Sequence, residues 1–146
     1  MSNKQIISEL NELLASYSVF YQNVHSYHWN VQGESFFDLH EEFGVLYEYF
    51  EDAIDKVAEH ILSLKSTPLH TYSEYLEITK IQATKDLKKD VDCVKATVDG
   101  LKKAIDLKKE ILNNLEKTDL YSTKLLLSGF LLEQEKYLWM YESFLK

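Results

Sequence analysis

Apolar residues recur at three- and four-residue steps along nearly the whole chain, and a single proline and four glycines in 146 residues leave few places to interrupt that rhythm. A helix of 3.6 residues per turn gathers such positions on one face, whereas strands need alternating β-branched and polar residues, which are missing here. The implied class is all-α. Ile6, Leu10, Leu13, Leu14, Tyr17, Phe20, Tyr21, Val24 and Val31 predict a first helix over about residues 4–31. Gln32, Gly33, Glu34 and Ser35 break the pattern, and Ser35 with Asp38 has the form of a capping box opening a second helix. That helix, about 36–64, carries the stripe Phe36, Leu39, Phe43, Leu46, Phe50, Ile54, Val57, Ile61, Leu64.

The run Lys65, Ser66, Thr67, Pro68 ends the second helix. Thr71 and Glu74 form a second capping box, so a short helix near 72–78 is expected inside the connection. Leu87, Val91, Val94, Val98, Leu101, Ile105, Leu112 and Leu115 then step along a third long helix, interrupted by Lys108. Asp119 is placed to open the last helix, where Leu120, Leu127, Leu131, Leu138, Tyr141 and Leu145 continue the stripe. Long helices of about 25 residues are each roughly 37 Å long, the proportions of a four-helix bundle with one crossover. The chain is expected to form one domain, residues 1–146, with no repeat.

Charge narrows the partners. Up to Thr79 there are 3 Lys against 13 acids; beyond it, 13 Lys against 11 acids, for a net charge of −8. Every basic residue is Lys, so the planar two-pronged grip of Arg on phosphate is unavailable. No stretch approaches the roughly 20 apolar residues of a membrane span, and no secretory leader is evident, so a cytoplasmic location is expected. The lone Cys93 is read as a small buried hydrophobe.

Candidate metal ligands are few. A carboxylate-bridged bundle would use Glu-x-x-His pairs within one chain, and none is present. The alternatives are His28 at the end of the first helix, His40 at the start of the second, and Asp55 with Glu59 one turn apart farther along. At about 1.5 Å rise per residue, Asp55 lies roughly 22 Å and Glu59 roughly 28 Å along the helix from His40, too far to share one ion. A mixed nitrogen and oxygen set therefore arises only if two subunits pack antiparallel, which would give two such sites per twofold dimer. His25, His60 and His70 are read as structural or surface residues. Most aromatic residues fall on apolar stripes; Trp29 is the exception.

The run Tyr27, His28, Trp29, Asn30, Val31, Gln32, Gly33, with Phe36, Phe37, Asp38, Leu39, His40, Glu41 and Asp55, Lys56, Val57, Ala58, Glu59, resembles the signature of the Dps family of bacterial mini-ferritins. Pro68, Thr71, Glu74, Tyr75, Leu76 and Leu138, Trp139, Met140 fit the later part of that pattern. The resemblance implies a ferritin-like bundle assembled as a homo-oligomeric, dodecameric shell of antiparallel dimers. It further implies ferroxidase chemistry at intersubunit sites made by His28, His40, Asp55 and Glu59, with ferrous iron oxidised by hydrogen peroxide or oxygen and stored as ferric mineral. Trp29 would pack over the site or absorb stray oxidising equivalents.

Three positions depart from the family pattern. Where the family places an acid four residues after the second His, this chain has Gly44; Glu41 or Glu48, one turn to either side, would have to substitute. Asp119 matches the first of two acids that line the family's ion pore, but Lys124 stands at the second. His60 replaces an Arg that often follows the ligand Glu. Two other readings remain: a shell of weak or lost activity binding zinc or one iron, and a DNA-coating protein. The second is disfavoured, because only Met1 to Lys4 precede the first helix and Lys146 closes the chain next to the last, leaving no Lys-rich tail.

Overall fold

The computed structural model describes residues 3–146; Met1 and Ser2, which head the segment expected to precede the first helix, lie outside the described residues. Five helices follow in order: α1 (Asn3–Asn30), α2 (Phe36–Ser63), α3 (Tyr72–Ile78), α4 (Asp90–Leu115) and α5 (Tyr121–Phe144). α1 packs against α2 and α4, α4 against α5, and α3 lies on α1 within the crossover from α2 to α4. This is the all-α bundle expected, with its short helix in the connection.

The stripes become the core because each is the one face of its helix that can leave water. Leu10, Leu13, Tyr17, Phe20 and Val24 of α1, Phe43, Leu46, Phe50, Val57 and Ile61 of α2, Val94 and Leu101 of α4 and Leu127 of α5 are all buried. Burying each such large side chain contributes about 1.5–3 kcal/mol. The ring of Phe50 takes edges from Tyr17 at 5.1 Å and Phe20 at 5.0 Å, and Phe43 stacks on Tyr141 at 5.8 Å. α4 approaches α1 so closely that a Cβ on Gly100 would lie 2.1 Å from Cε1 of Phe20.

Helix boundaries correct three expectations. Thr71 and Glu74 do form a capping box, each side chain bonding the other's backbone N–H. Ser35 occupies the cap of α2 without a side-chain hydrogen bond. Asp119 does not open α5: Leu120 holds the cap position, and the amide of Tyr121 donates to the Asp119 carbonyl at 2.8 Å. Leu87 lies ahead of α4, and Leu145, at the far end of its stripe, is exposed. Gln32, on the α1–α2 turn, donates from its amide to the Lys88 carbonyl at 2.7 Å and accepts from the Asp90 amide at 3.0 Å. This clamp ties the turn to the start of α4, and Gly33 beside it has φ +130°, a backbone state few side chains tolerate.

Lys108 does not leave the apolar stripe it interrupts; its side chain is fully buried. The Nζ donates to the Ala104 carbonyl at 2.7 Å and to Oε1 of Gln134, and lies 5.1 Å from the centroid of the Tyr17 ring. Gln134 in turn donates from Nε2 to the hydroxyls of Tyr17 at 2.9 Å and Tyr49 at 3.2 Å. All four long helices thus contribute one polar group to the bundle centre. Burial holds the Lys108 ammonium well below its ordinary pKa, and the Glu135 carboxylate offsets only part of that effect.

Candidate metal centre

His28 closes α1 and His40 lies just inside α2, so the short turn between them brings the two rings together. Their centroids are 3.9 Å apart and their planes within 14°. Nδ1 of His28 is 2.5 Å from the His40 carbonyl oxygen, and Nδ1 of His40 is 2.7 Å from the His28 carbonyl oxygen. A carbonyl oxygen can only accept, so both Nδ1 atoms carry the hydrogen, and in the neutral imidazole it is then Nε2 that has the lone pair. This is the tautomer a metal requires, fixed by the main chain as metal-binding histidines commonly are.

Aromatic rings wall the pair in. Phe36 stacks on the outer face of His40 at 5.2 Å, and Tyr47 meets His28 edge-on at 5.3 Å. Tyr47 also stacks on His25 at 4.3 Å, and the other neighbour of His25 is Trp29 at 4.1 Å. Gly44 forms the floor: a Cβ there would meet Cε1 of His28 at 3.2 Å and Nδ1 at 3.3 Å. The chain's only residue at that spot is therefore one without a side chain, and the ring of His28 rests close against the helix.

Asp55 and Glu59 occupy another stretch of α2, both exposed and one turn apart. Neighbouring Lys56 pairs with Asp52 at 2.9 Å and leaves them alone. Among the described residues, no three His, Cys, Asp or Glu side chains of one chain come close enough to hold a metal. The four candidates are thus placed as two separate halves on one α1–α2 layer. Glu41 and Glu48 are exposed on either side of Gly44.

The remaining candidates sit apart. Asp119 is exposed ahead of α5, while Lys124 turns back to donate to the Thr118 carbonyl at 2.6 Å. His60 shares a 2.7 Å hydrogen bond with Thr123 inside the bundle, and His70 donates from Nδ1 to the Pro68 carbonyl at 3.0 Å. Burial pushes the Cys93 thiol up to about 11, which leaves it protonated and unreactive near neutral pH. His25, read from the sequence as structural or surface, lies stacked between Trp29 and Tyr47.

A groove between α1, α2 and α3 is lined by Val19, Tyr21, Ile54, Tyr72, Tyr75 and Leu76. Tyr72 is 85% and Leu76 63% exposed, so a substantial apolar surface faces outward on the layer that carries both halves of the candidate site. No helix among the described residues is long and apolar enough to cross a membrane.

A family model described as a ferritin-like domain matches residues 7–146. The chain is 40% identical over 146 residues to DNA protection during starvation protein 2 of Bacillus anthracis, covering 98% of both chains. Its fold superposes with a TM-score of 0.95 on a Dps protein from Vibrio cholerae, at 37% identity over 98% of this chain and 90% of the other; that protein is described as a member of a broad superfamily of ferritin-like diiron-carboxylate proteins. A Dps protein from Bacillus brevis also gives a TM-score of 0.95, at 30% identity over the full length of both. A four-helix bundle with this crossover, this histidine turn and these relatives belongs to the ferritin-like family, in its Dps branch.

Proposed function

We propose that the protein is an iron-storing mini-ferritin whose ferroxidase site is shared between two subunits, His28 and His40 coming from one and Asp55 and Glu59 from the other. The observation that carries this reading is the reciprocal hydrogen bonding of His28 and His40, which prepares two nitrogen donors with no carboxylate among the described residues of the same chain within reach. Imidazole and carboxylate together suit iron, and a site that is half nitrogen and half oxygen leaves coordination positions for an oxidant. The apolar groove beside α3 supports antiparallel pairing, since exposed surface of that kind is stabilised by a second copy. In the assembled form we take the oligomer to be the dodecameric shell of the family, enclosing ferric mineral.

Ferrous iron is the substrate. Two ferrous ions each release one electron; hydrogen peroxide takes both electrons with two protons and leaves as two waters. The two imidazoles hold ferrous ion through Nε2, and the carboxylates offset the higher charge of the ferric product, which favours oxidation at the site over oxidation in solution. Consuming peroxide and ferrous iron together removes the reactants of hydroxyl-radical formation. Oxygen is the alternative oxidant, and Trp29, exposed and next to His28 in the chain, would take up oxidising equivalents that escape the site.

The test is anaerobic ferrous titration of the purified assembly, then stopped-flow oxidation with peroxide and, separately, oxygen. Rapid oxidation that saturates with the number of sites supports the reading; a rate equal to that of free iron rejects it. Gly44 favours one second reading, a shell that keeps the fold and binds a single iron or zinc without fast turnover, because α2 carries no acidic side chain at the position that faces His28. Slow oxidation with tight binding of one ion per site would establish that alternative.

A further inference from the structure

We infer that the outward face of α5 is a second self-association surface, through which subunit pairs join further copies of this chain; the inference rests on the shell reading above. Tyr121, Leu125, Leu132 and Trp139 are 73%, 76%, 75% and 62% exposed. They are not scattered. Leu125, Leu132 and Trp139 are spaced by seven residues and Tyr121 lies one turn ahead of Leu125, so at about 100° per residue all four fall within roughly 40° of arc. The residues by which α5 enters the core, Thr123, Leu127, Phe130, Gln134 and Tyr141, lie on the opposite side of the helix. The outer face of a bundle helix is ordinarily polar, and α4 obeys that rule with Lys95, Asp99, Lys102, Asp106 and Lys109 exposed. On α5 the corresponding face is a seam of large apolar groups at the seven-residue spacing that one helix presents to another. Between its two leucines stand Ser128 and Gly129, both exposed, and a Cβ on Gly129 would meet no atom within 4 Å, so nothing of the chain's own fills the middle of the seam.

Area and symmetry name the occupant. The four side chains expose on the order of 600 Å² in one line, against roughly 300–600 Å² for the largest patch of a typical monomer and roughly 800 Å² given by each partner of a standard interface. Apolar groups in the middle with Glu135 and Lys136 at the edges match the make-up of contacts between copies of one chain. The antiparallel pairing proposed above uses the layer of α1, α2 and α3, and a twofold contact closes on itself because the same patch is covered on both subunits. A hollow shell therefore needs a further contact of another kind. α5 lies outside the layer used for pairing and packs chiefly on α4, which leaves its seam for that contact.

Sedimentation velocity of the purified protein, with circular dichroism to verify helix content, reads the assembly directly. Leu132→Glu places a charge in the middle of the seam at an exposed position, and Leu132→Met keeps the surface apolar. Leu125→Glu, two turns away, takes the place of Leu132→Glu if that variant loses helix content. The expected result is one many-subunit particle for the parent and Leu132→Met, and a fall to two 17.1 kDa subunits for the helical Glu variant. A Glu variant that keeps the parent's mass overturns the assignment, as does a parent no larger than a dimer. A fall to single subunits overturns it too, because the seam would then be the pairing contact itself. Cobalt(II) titration keeps the shared centre separate: a parent that binds no cobalt sinks the centre, while loss of mass in the Glu variant still assigns the seam.

Discussion

The imidazoles of His28 and His40 lie 3.9 Å apart, and each donates from Nδ1 to the other residue's main-chain carbonyl. Neither ring depends on a third side chain for its orientation, so both Nε2 atoms are set for a ligand by the turn itself. Because the carboxylates Asp55 and Glu59 belong to the other end of α2, the arrangement makes a demand on assembly that can be measured.

His28→Ala and Asp55→Ala should each abolish rapid ferrous oxidation while leaving the oligomer intact. Unfolding both variants together and reassembling them mixes subunits, and in a mixed dimer one of the two sites regains all four ligands. Random mixing therefore restores about a quarter of the sites. Recovery of activity to that level, read by stopped-flow, indicates ligands from two chains; no recovery above the separate variants indicates a site within one chain.

Lys108 should make stability rise with pH. Burial lowers its pKa in the folded protein, so the unfolded chain binds more protons between that value and the ordinary value near 10.4, and folding gains as pH climbs through this window. Lys108→Met removes this contribution. Urea unfolding at pH 7 and pH 9.5 is expected to show the parent gaining more than the variant; equal gains would mean that the ammonium is not disfavoured by burial. At either pH the variant also carries the cost of an unpaired Gln134 oxygen, about 1–3 kcal/mol.

Two glycines in helices should respond in opposite directions to the same change. Gly100→Ala forces a methyl into the ring of Phe20 and is expected to cost about 1–3 kcal/mol in overpacking, against about 1 kcal/mol of helix preference in its favour. Gly129→Ala meets no atom within 4 Å and should stabilise by up to about 1 kcal/mol. Thermal unfolding of the two variants beside the parent decides it, and a higher Tm for Gly100→Ala would contradict the close approach of α1 and α4.

DNA should bind weakly. The subunit carries a net charge of −8, with lysines of α4 interleaved among Asp92, Asp99 and Asp106. A gel shift titrated with salt is expected to show no complex near physiological ionic strength. Tight binding there would require a cationic surface created by assembly.

Much of the fold is written in local pattern. The apolar period of 3 and 4 determined four long helices, the lone Pro68 with the Thr71 and Glu74 box determined the short helix in the crossover, and the spacing of His28, His40, Asp55 and Glu59 determined that these candidate ligands fall into two groups on α1 and α2. These are properties of neighbours in the chain, so sequence suffices. Ser35 and Asp119 had equally good local credentials as side-chain caps and do not act as such: Ser35 holds the cap position of α2 without a side-chain hydrogen bond, and Leu120 takes the cap of α5.

The state of the centre was decided by tertiary structure alone. Whether a histidine offers Nδ1 or Nε2 depends on which carbonyl its other nitrogen meets, and for His28 and His40 that carbonyl lies 12 residues away across a turn. The same holds for Lys108, whose neighbours Tyr17 and Gln134 come from α1 and α5. A sequence specifies which groups are present and which face of a helix they share; hydrogen-bond partners and burial are set by what other helices bring to that face.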